Sequence, residues 1–218
     1  SCEYPDNGDY ALSFDGVDDY SSTNSTQLDG LFSGYNSFTV SLEVFGNDFS
    51  IGSLFAKGST PNGNGQNPKS LMLYRQSDIL SFILYSESGA FIGSHASEEI
   101  FSPNVWNHIM LEYDGGTNSN SLKFYKNGQL YEDITPQDYG SYSGVYSVPE
   151  PFYLGARVQE NGTSHQQVFA SLNNLTIWDK VLSQEQKSII FENSSLPLPM
   201  INEPGLVLNY TFNSVSGD

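Results

Sequence analysis

The sequence predicts an all-β protein: two packed antiparallel sheets and one short helix near the C-terminus. Three observations predict it. Apolar residues alternate with polar ones in short runs, as in half-buried antiparallel strands. Turn-forming Gly, Asn, Asp, Ser and Pro punctuate the chain at close intervals. Asn127-Gly128 is the strongest short hairpin signal, because both residues accept the positive φ that a two-residue turn requires.

The chain has 218 residues, 38% hydrophobic and 14% aromatic, enough for one large β-domain with a substantial core. We read residues 1–9 as a polar lead-in and 10–218 as a single domain. With 25 acidic and 8 basic side chains the formal net charge is -17. Nucleic acids and anionic membranes both need a basic patch and are poor partners for such a chain; no apolar run approaches a membrane span. The single cysteine, Cys2, admits no disulfide within the chain. Asn-X-Ser/Thr sequons at Asn24, Asn161, Asn174, Asn193 and Asn209 permit a secreted glycoprotein.

Taken in order, Ala11 to Asp15 is a strand ending at an Asp15-Gly16 turn. Ser37 to Phe45 alternates cleanly, with Phe38, Val40, Leu42 and Val44 on one face. Ser53 to Ala56 is a further apolar run, and Ser59 to Lys69 a Gly/Asn/Pro-rich loop. Leu71 to Arg75 and Ile79 to Tyr85 form a hairpin around Gln76-Ser77-Asp78. Trp106 to Tyr113 is apolar on both sides in places, as a central strand would be. Ser121 to Lys126 pairs through Asn127-Gly128 with a return strand over Gln129 to Ile134. Tyr139 to Tyr146 reads as a loop and Pro151 to Ala156 as a strand. In Val168 to Trp178, Leu172 and Leu175 cannot share a face under strict alternation, so a β-bulge is expected at Asn173-Asn174. Ser183 and Gln186 make a capping box that opens the helix, with Ile189 and Ile190 as its apolar face. Leu196 to Gly205 is a Pro-rich connection, and Leu206 to Phe212 the last strand.

Asp15, Asp18 and Asp19 crowd one short loop after the first strand. Hard cations such as calcium take carboxylate and carbonyl oxygens in such a loop, and a solvated turn would favour the same residues. We expect a structural calcium held by Asp15 and Asp18 with the Gly16 carbonyl.

Leu12-Ser-Phe-Asp-Gly-Val-Asp-Asp-Tyr20 resembles the opening of a laminin-G-like or pentraxin-like module of the concanavalin A-like lectin/glucanase superfamily. Ser37-Phe-Thr-Val40, Trp106-Asn-His108, Lys123-Phe-Tyr-Lys-Asn-Gly128, Tyr153-Leu-Gly155 and Leu175-Thr-Ile-Trp178 agree with it in the family's order. Leu182-Ser-Gln-Glu-Gln186 follows in place of the usual helix start. The resemblance implies a two-sheet jelly-roll sandwich. It also implies a fourth calcium ligand from the late strand, where this chain carries Asn173 in place of the usual Asp.

The resemblance further implies a non-catalytic extracellular or cell-surface module for glycan recognition, in adhesion or targeting, as part of a larger protein. A structural or protein-interaction domain that contacts a neighbouring domain is the alternative, and a glycoside hydrolase the third. Hydrolases of this class resemble one another in a Glu-x-Asp-x-x-Glu strand, which sets two carboxylates on one face; the sequence has no such run. The three histidines show no metal spacing. For ligand contact the candidates are Tyr139, Tyr142 and Tyr146, whose rings suit stacking on a sugar or covering the end of the sandwich. Arg75 and Arg157, the only arginines, could each fork onto a carboxylate.

Overall fold

A computed structural model describes residues 11–46, 51–60, 69–77, 79–193, 200 and 202–212. The lead-in with Cys2, Asp78 and parts of the loops at 59–69 and 196–205 lie outside the described residues. The strands are β1 (Leu12–Asp15), β2 (Ser21–Thr23), β3 (Phe38–Phe45), β4 (Ile51–Lys57), β5 (Leu71–Gln76), β6 (Ile79–Tyr85), β7 (Phe91–Ala96) and β8 (Trp106–Tyr113). They continue with β9 (Leu122–Lys126), β10 (Gln129–Tyr131), β11 (Ile134–Tyr139), β12 (Phe152–Leu154), β13 (Arg157–Val158), β14 (Ser164–His165), β15 (Phe169–Trp178) and β16 (Leu206–Tyr210). Among the described residues the named α-helices are α1 (Thr26–Leu31) and α2 (Gln184–Glu192), with short 3-10 turns at Glu98–Ile100 and Ser119–Ser121.

Two large antiparallel sheets form the sandwich. The first runs β1-β15-β3-β8-β9-β10, with β16 also on β15, and the second runs β11-β7-β6-β5-β4-β12-β2. Phe38, Val40, Leu42 and Val44 of β3 all point into the core, as the alternation requires. Phe38, Phe55, Phe82, Phe124 and Phe152 meet there edge-on or stacked, with ring centroids 5.4–6.5 Å apart. Each buried ring contributes roughly 1.5–3 kcal/mol.

The expected bulge is present. Asn173 lies opposite Glu43 and Thr176 opposite Ser41, so Asn174 and Leu175 together face Leu42. Asn174 takes a φ of 47°, and Leu172 and Leu175 both enter the core. The turn at Asn127 (φ 50°) and Gly128 (φ 76°) joins Lys126 to Gln129 as expected.

Three expectations change. The return strand over Gln129 to Ile134 is split: β10 stops at Tyr131, and the chain crosses to the other sheet as β11. Glu132 and Asp133 mark that corner, and Pro136 sits on β11 because an edge strand needs no amide from it. Tyr139 therefore ends a strand instead of opening a loop. A second helix, α1, is capped by Ser25 and buries Leu28 and Leu31; it lacks the Glu or Gln that would complete a capping box.

α2 has the expected box, with Gln186 N donating to Ser183 Oγ at 3.2 Å and Ser183 N to Gln186 Oε1 at 2.9 Å. The helix packs on the outer face of the first sheet, where Met110, Tyr125, Trp178, Leu182 and Ile190 form a second core. β3 is consequently buried on both faces over Thr39 and Ser41.

Candidate functional site

The outer face of the second sheet is built by the same alternation that fills the core. Leu71, Leu73, Leu80, Phe82, Leu84 and Ile92 point inward, so their neighbours in sequence point out. Register then sets them in cross-strand rows. Tyr74, Ser81, His95 and Thr135 form one row, and Met72, Ile83, Gly93 and Gln137 the next. Tyr85, Phe91 and Tyr139 form a third.

His95 is held at both nitrogens. Gln137 Oε1 only accepts, so His95 Nε2 donates to it at 2.9 Å, which leaves Nδ1 to accept from the Ser81 hydroxyl at 2.8 Å. The ring is thereby fixed in one tautomer and one orientation. Beside it, Gly93 keeps the floor low: a Cβ there would stand 3.4 Å from both His95 Nε2 and the Ile83 side chain. A groove of about 620 Å³ opens along this end of the face, lined by Tyr74, Gln76, Ile79, Ser81, His95 and Thr135.

The third row is an aromatic ladder. Phe91 lies 5.7 Å from Tyr85 and stacks on Tyr139 at 5.5 Å and 20°. Tyr139, 64% exposed, presents its ring at the sheet edge, whereas Tyr85 is buried and desolvation raises its hydroxyl pKa. The hairpin of β13 and β14 packs beside β4 and β12. Its Arg157 sits 5.2 Å from the Tyr74 ring and is only 3% exposed. Burial lowers its pKa, yet a guanidinium stays charged at any ordinary pH. His165 is bonded to Thr60 Oγ1 at 3.1 Å, and burial, then the Arg157 charge, lower its pKa.

Of the five ligand candidates, the structure brings Tyr139 and Arg157 to this face. Tyr146 runs alongside, its N–H donating to Tyr85 O at 2.8 Å. Tyr142 closes the end of the sandwich, half-buried, its hydroxyl 3.5 Å from that of Tyr113. Arg75 points to the other side of β5, its guanidinium 5.3 Å from the Phe101 ring and its Nε donating to Ser77 O. The sequence reading did not single out Tyr74, Phe91, His95 or Gln137. The phase of Leu80, Phe82 and Leu84 places Ser81 outside, but only the register of β7 and β11 sets His95 and Gln137 next to it.

At the rim, Asp15, Asp18 and Asp19 bring carboxylate oxygens within 4.8 Å of one another, all exposed. Asp15 Oδ1 accepts from Val17 N at 2.8 Å, and Asp19 Oδ2 from Asp15 N at 3.3 Å, which curls the loop around the cluster. Asn173 is not part of it. Asp15 pairs with Phe169, four residues along β15, and four strand residues span about 13 Å. The third side chain is Asp19. Three carboxylates fit a hard cation, with backbone carbonyls and water left to complete its shell.

No curated protein matches the sequence. Among solved structures the chain is similar to a protein of Bacteroides ovatus ATCC 8483 named as a candidate carbohydrate-binding protein. The identity is 16% and the TM-score 0.62, over 95% of this chain and 52% of that one. It is similar to the CBM40 module of a Ruminococcus gnavus IT-sialidase bound to α2,3-sialyllactose, at 14% identity and a TM-score of 0.55 over 84% and 98%. A third is the ligand-binding domain of botulinum neurotoxin serotype D in complex with N-acetylneuraminic acid. There the identity is 18% and the TM-score 0.56, over 84% and 41%. The chain thus spans about half or less of two of these three. At such identities the likeness establishes the fold. The laminin-G-type family pattern matches residues 14–186, and the chain therefore belongs to the concanavalin A-like lectin/glucanases superfamily.

Proposed function

We propose that the chain is a non-catalytic carbohydrate-binding module of a larger extracellular or surface protein, and that it binds through the outer face of the second sheet. The observation that carries this reading is His95, clamped between Ser81 and Gln137 at the floor of an open groove. Sugar recognition needs polar groups fixed in direction beside flat apolar surface, and Tyr74 and the Phe91–Tyr139 stack supply the latter. Solved neighbours with N-acetylneuraminic acid or sialyllactose bound add support at the level of the fold. Among the described residues no helix is long and apolar enough to cross a membrane.

A glycan array with the wild-type domain, repeated with His95→Ala and Tyr139→Ala, tests the reading. The best glycan should lose about tenfold in affinity in His95→Ala, or about 1.4 kcal/mol, while the melting temperature changes little. Array hits that both variants leave untouched would place the site elsewhere.

We also propose a structural calcium at Asp15, Asp18 and Asp19. Bound only by the folded chain, calcium at ten times its Kd stabilises by about 1.4 kcal/mol, a rise of roughly 3–6 °C in Tm for a chain of this size. Thermal melts with calcium and with chelator should show this shift in the wild type and lose it in Asp15→Ala. Identical melts in the wild type would remove the metal.

A further inference from the structure

The outer face of the first sheet carries a row that α2 leaves uncovered. Ser13, Ser171, Phe45 and Trp106 lie side by side across β1, β15, β3 and β8. One step towards the rim, Phe169 stands opposite Asp15. The helix covers the face only as far as His108, against which Phe191 packs at 5.8 Å. Beyond it Trp106 remains 46% and Phe169 52% exposed. Trp106 leans on Phe45, with centroids 5.6 Å apart and planes tilted by 48°. A cleft of about 200 Å³ runs beside them, lined by Ser13, Phe45, Asn104, Phe169 and Ser171.

We propose that this row is a second carbohydrate-binding surface, specific for neutral sugars and independent of the groove on the opposite sheet. Aromatic faces pack against the C–H face of a pyranose ring. The paired hydroxyls of Ser13 and Ser171, 2.8 Å apart, and the Asn104 amide offer donors and acceptors at the edge of the shelf. The cleft has room for one ring. Among the described residues no cationic side chain lines it, and Asp15 flanks it, so a sugar carboxylate is disfavoured there. The same field, from a net charge of -17, disfavours an anionic membrane and a second copy of the chain as the occupant. Two sites on opposite sheets would let one domain bridge two glycan chains, and the gain in avidity would need no further contact.

Tryptophan fluorescence reads this site directly. The chain has two tryptophans; Trp178 is fully buried, so Trp106 is the one that solutes reach. The probes are neutral hexasaccharides of β-glucose, xylose and mannose, with sialyllactose as the acidic comparator. At least one neutral probe should shift the emission to the blue and protect Trp106 from acrylamide. By calorimetry, Trp106→Ala should lose at least tenfold in affinity and Phe45→Ala at least fivefold, while Trp106→Phe, which keeps a ring, stays within about threefold. His95→Ala should leave this binding intact, which separates it from the groove on the other sheet. Silence with every neutral probe overturns the proposal. So does a signal saturated by sialyllactose alone, or an emission shift that follows protein concentration with no sugar present, which would mark a contact between copies.

Discussion

Replacing Lys187 with Met is expected to destabilise the domain by about 3–5 kcal/mol. Lys187 comes from α2 and forms an ion pair with Glu112 of β8, both side chains almost wholly buried. Its Nζ also donates to Tyr125 Oη at 2.7 Å and lies 4.0 Å from the centre of that ring. Removing the cation leaves Glu112 buried, with only the half-exposed Lys123 at 3.3 Å and the Tyr125 hydroxyl at 3.2 Å to hold its charge. That partial rescue places the expected loss towards 3 kcal/mol. Urea unfolding followed by circular dichroism checks it, with a fall in midpoint of about 1 M or more. The double variant Lys187→Met, Glu112→Leu should recover most of the loss, because an apolar pair of similar volume needs no desolvation. A single-variant loss under about 1 kcal/mol would mean that water reaches the pair and that α2 is loosely held.

Acid is the second strong lever. His108 is 6% exposed, and burial pushes its pKa down to about 4. Its Nε2 is bonded to the Ser41 hydroxyl at 2.7 Å, the Phe191 ring covers it, and Glu43 is its cross-strand neighbour. Asn174 holds that carboxylate at 2.9 Å. Above pH 6.5 the histidine is neutral in both folded and unfolded chains and favours neither. Between about 6.5 and 4 the unfolded chain takes up a proton that the folded one refuses. Stability therefore falls with pH by about 1.4 kcal/mol per unit, on the order of 3 kcal/mol in all. His165 acts in the same direction, so the test is a comparison: unfolding free energies from pH 7 to 4.5 for wild type and His108→Gln. The variant's curve should be flatter across this window, and parallel curves would refute the assignment.

Much of the fold was legible residue by residue. The phase of β3, the Asn127-Gly128 turn, the bulge that brings Leu172 and Leu175 to one face, and the Ser183–Gln186 box are local patterns. Each depends on a period or on a φ value, and both are properties of a few adjacent residues. The carboxylate loop was legible for the same reason, since Asp15, Asp18 and Asp19 lie within five residues. Where a reading needed the register between distant strands, the sequence could not supply it. Asn173 looked like a partner for Asp15, but pairing with Phe169 sets it four residues away. Tyr142 stood among polar residues, yet it closes the end of the core against Tyr113.

By itself, then, the sequence determined an acidic all-β sandwich, because alternation, turns and charge are written along the chain. Only the tertiary structure decided which side chains share a surface. His95 meets Gln137 across 42 positions, and Ser13 meets Ser171 across 158. Such meetings follow from how strands order and align within a sheet. That alignment is selected by the burial of the inner faces, so the residues left outside are brought together without any mark in their own stretch of sequence.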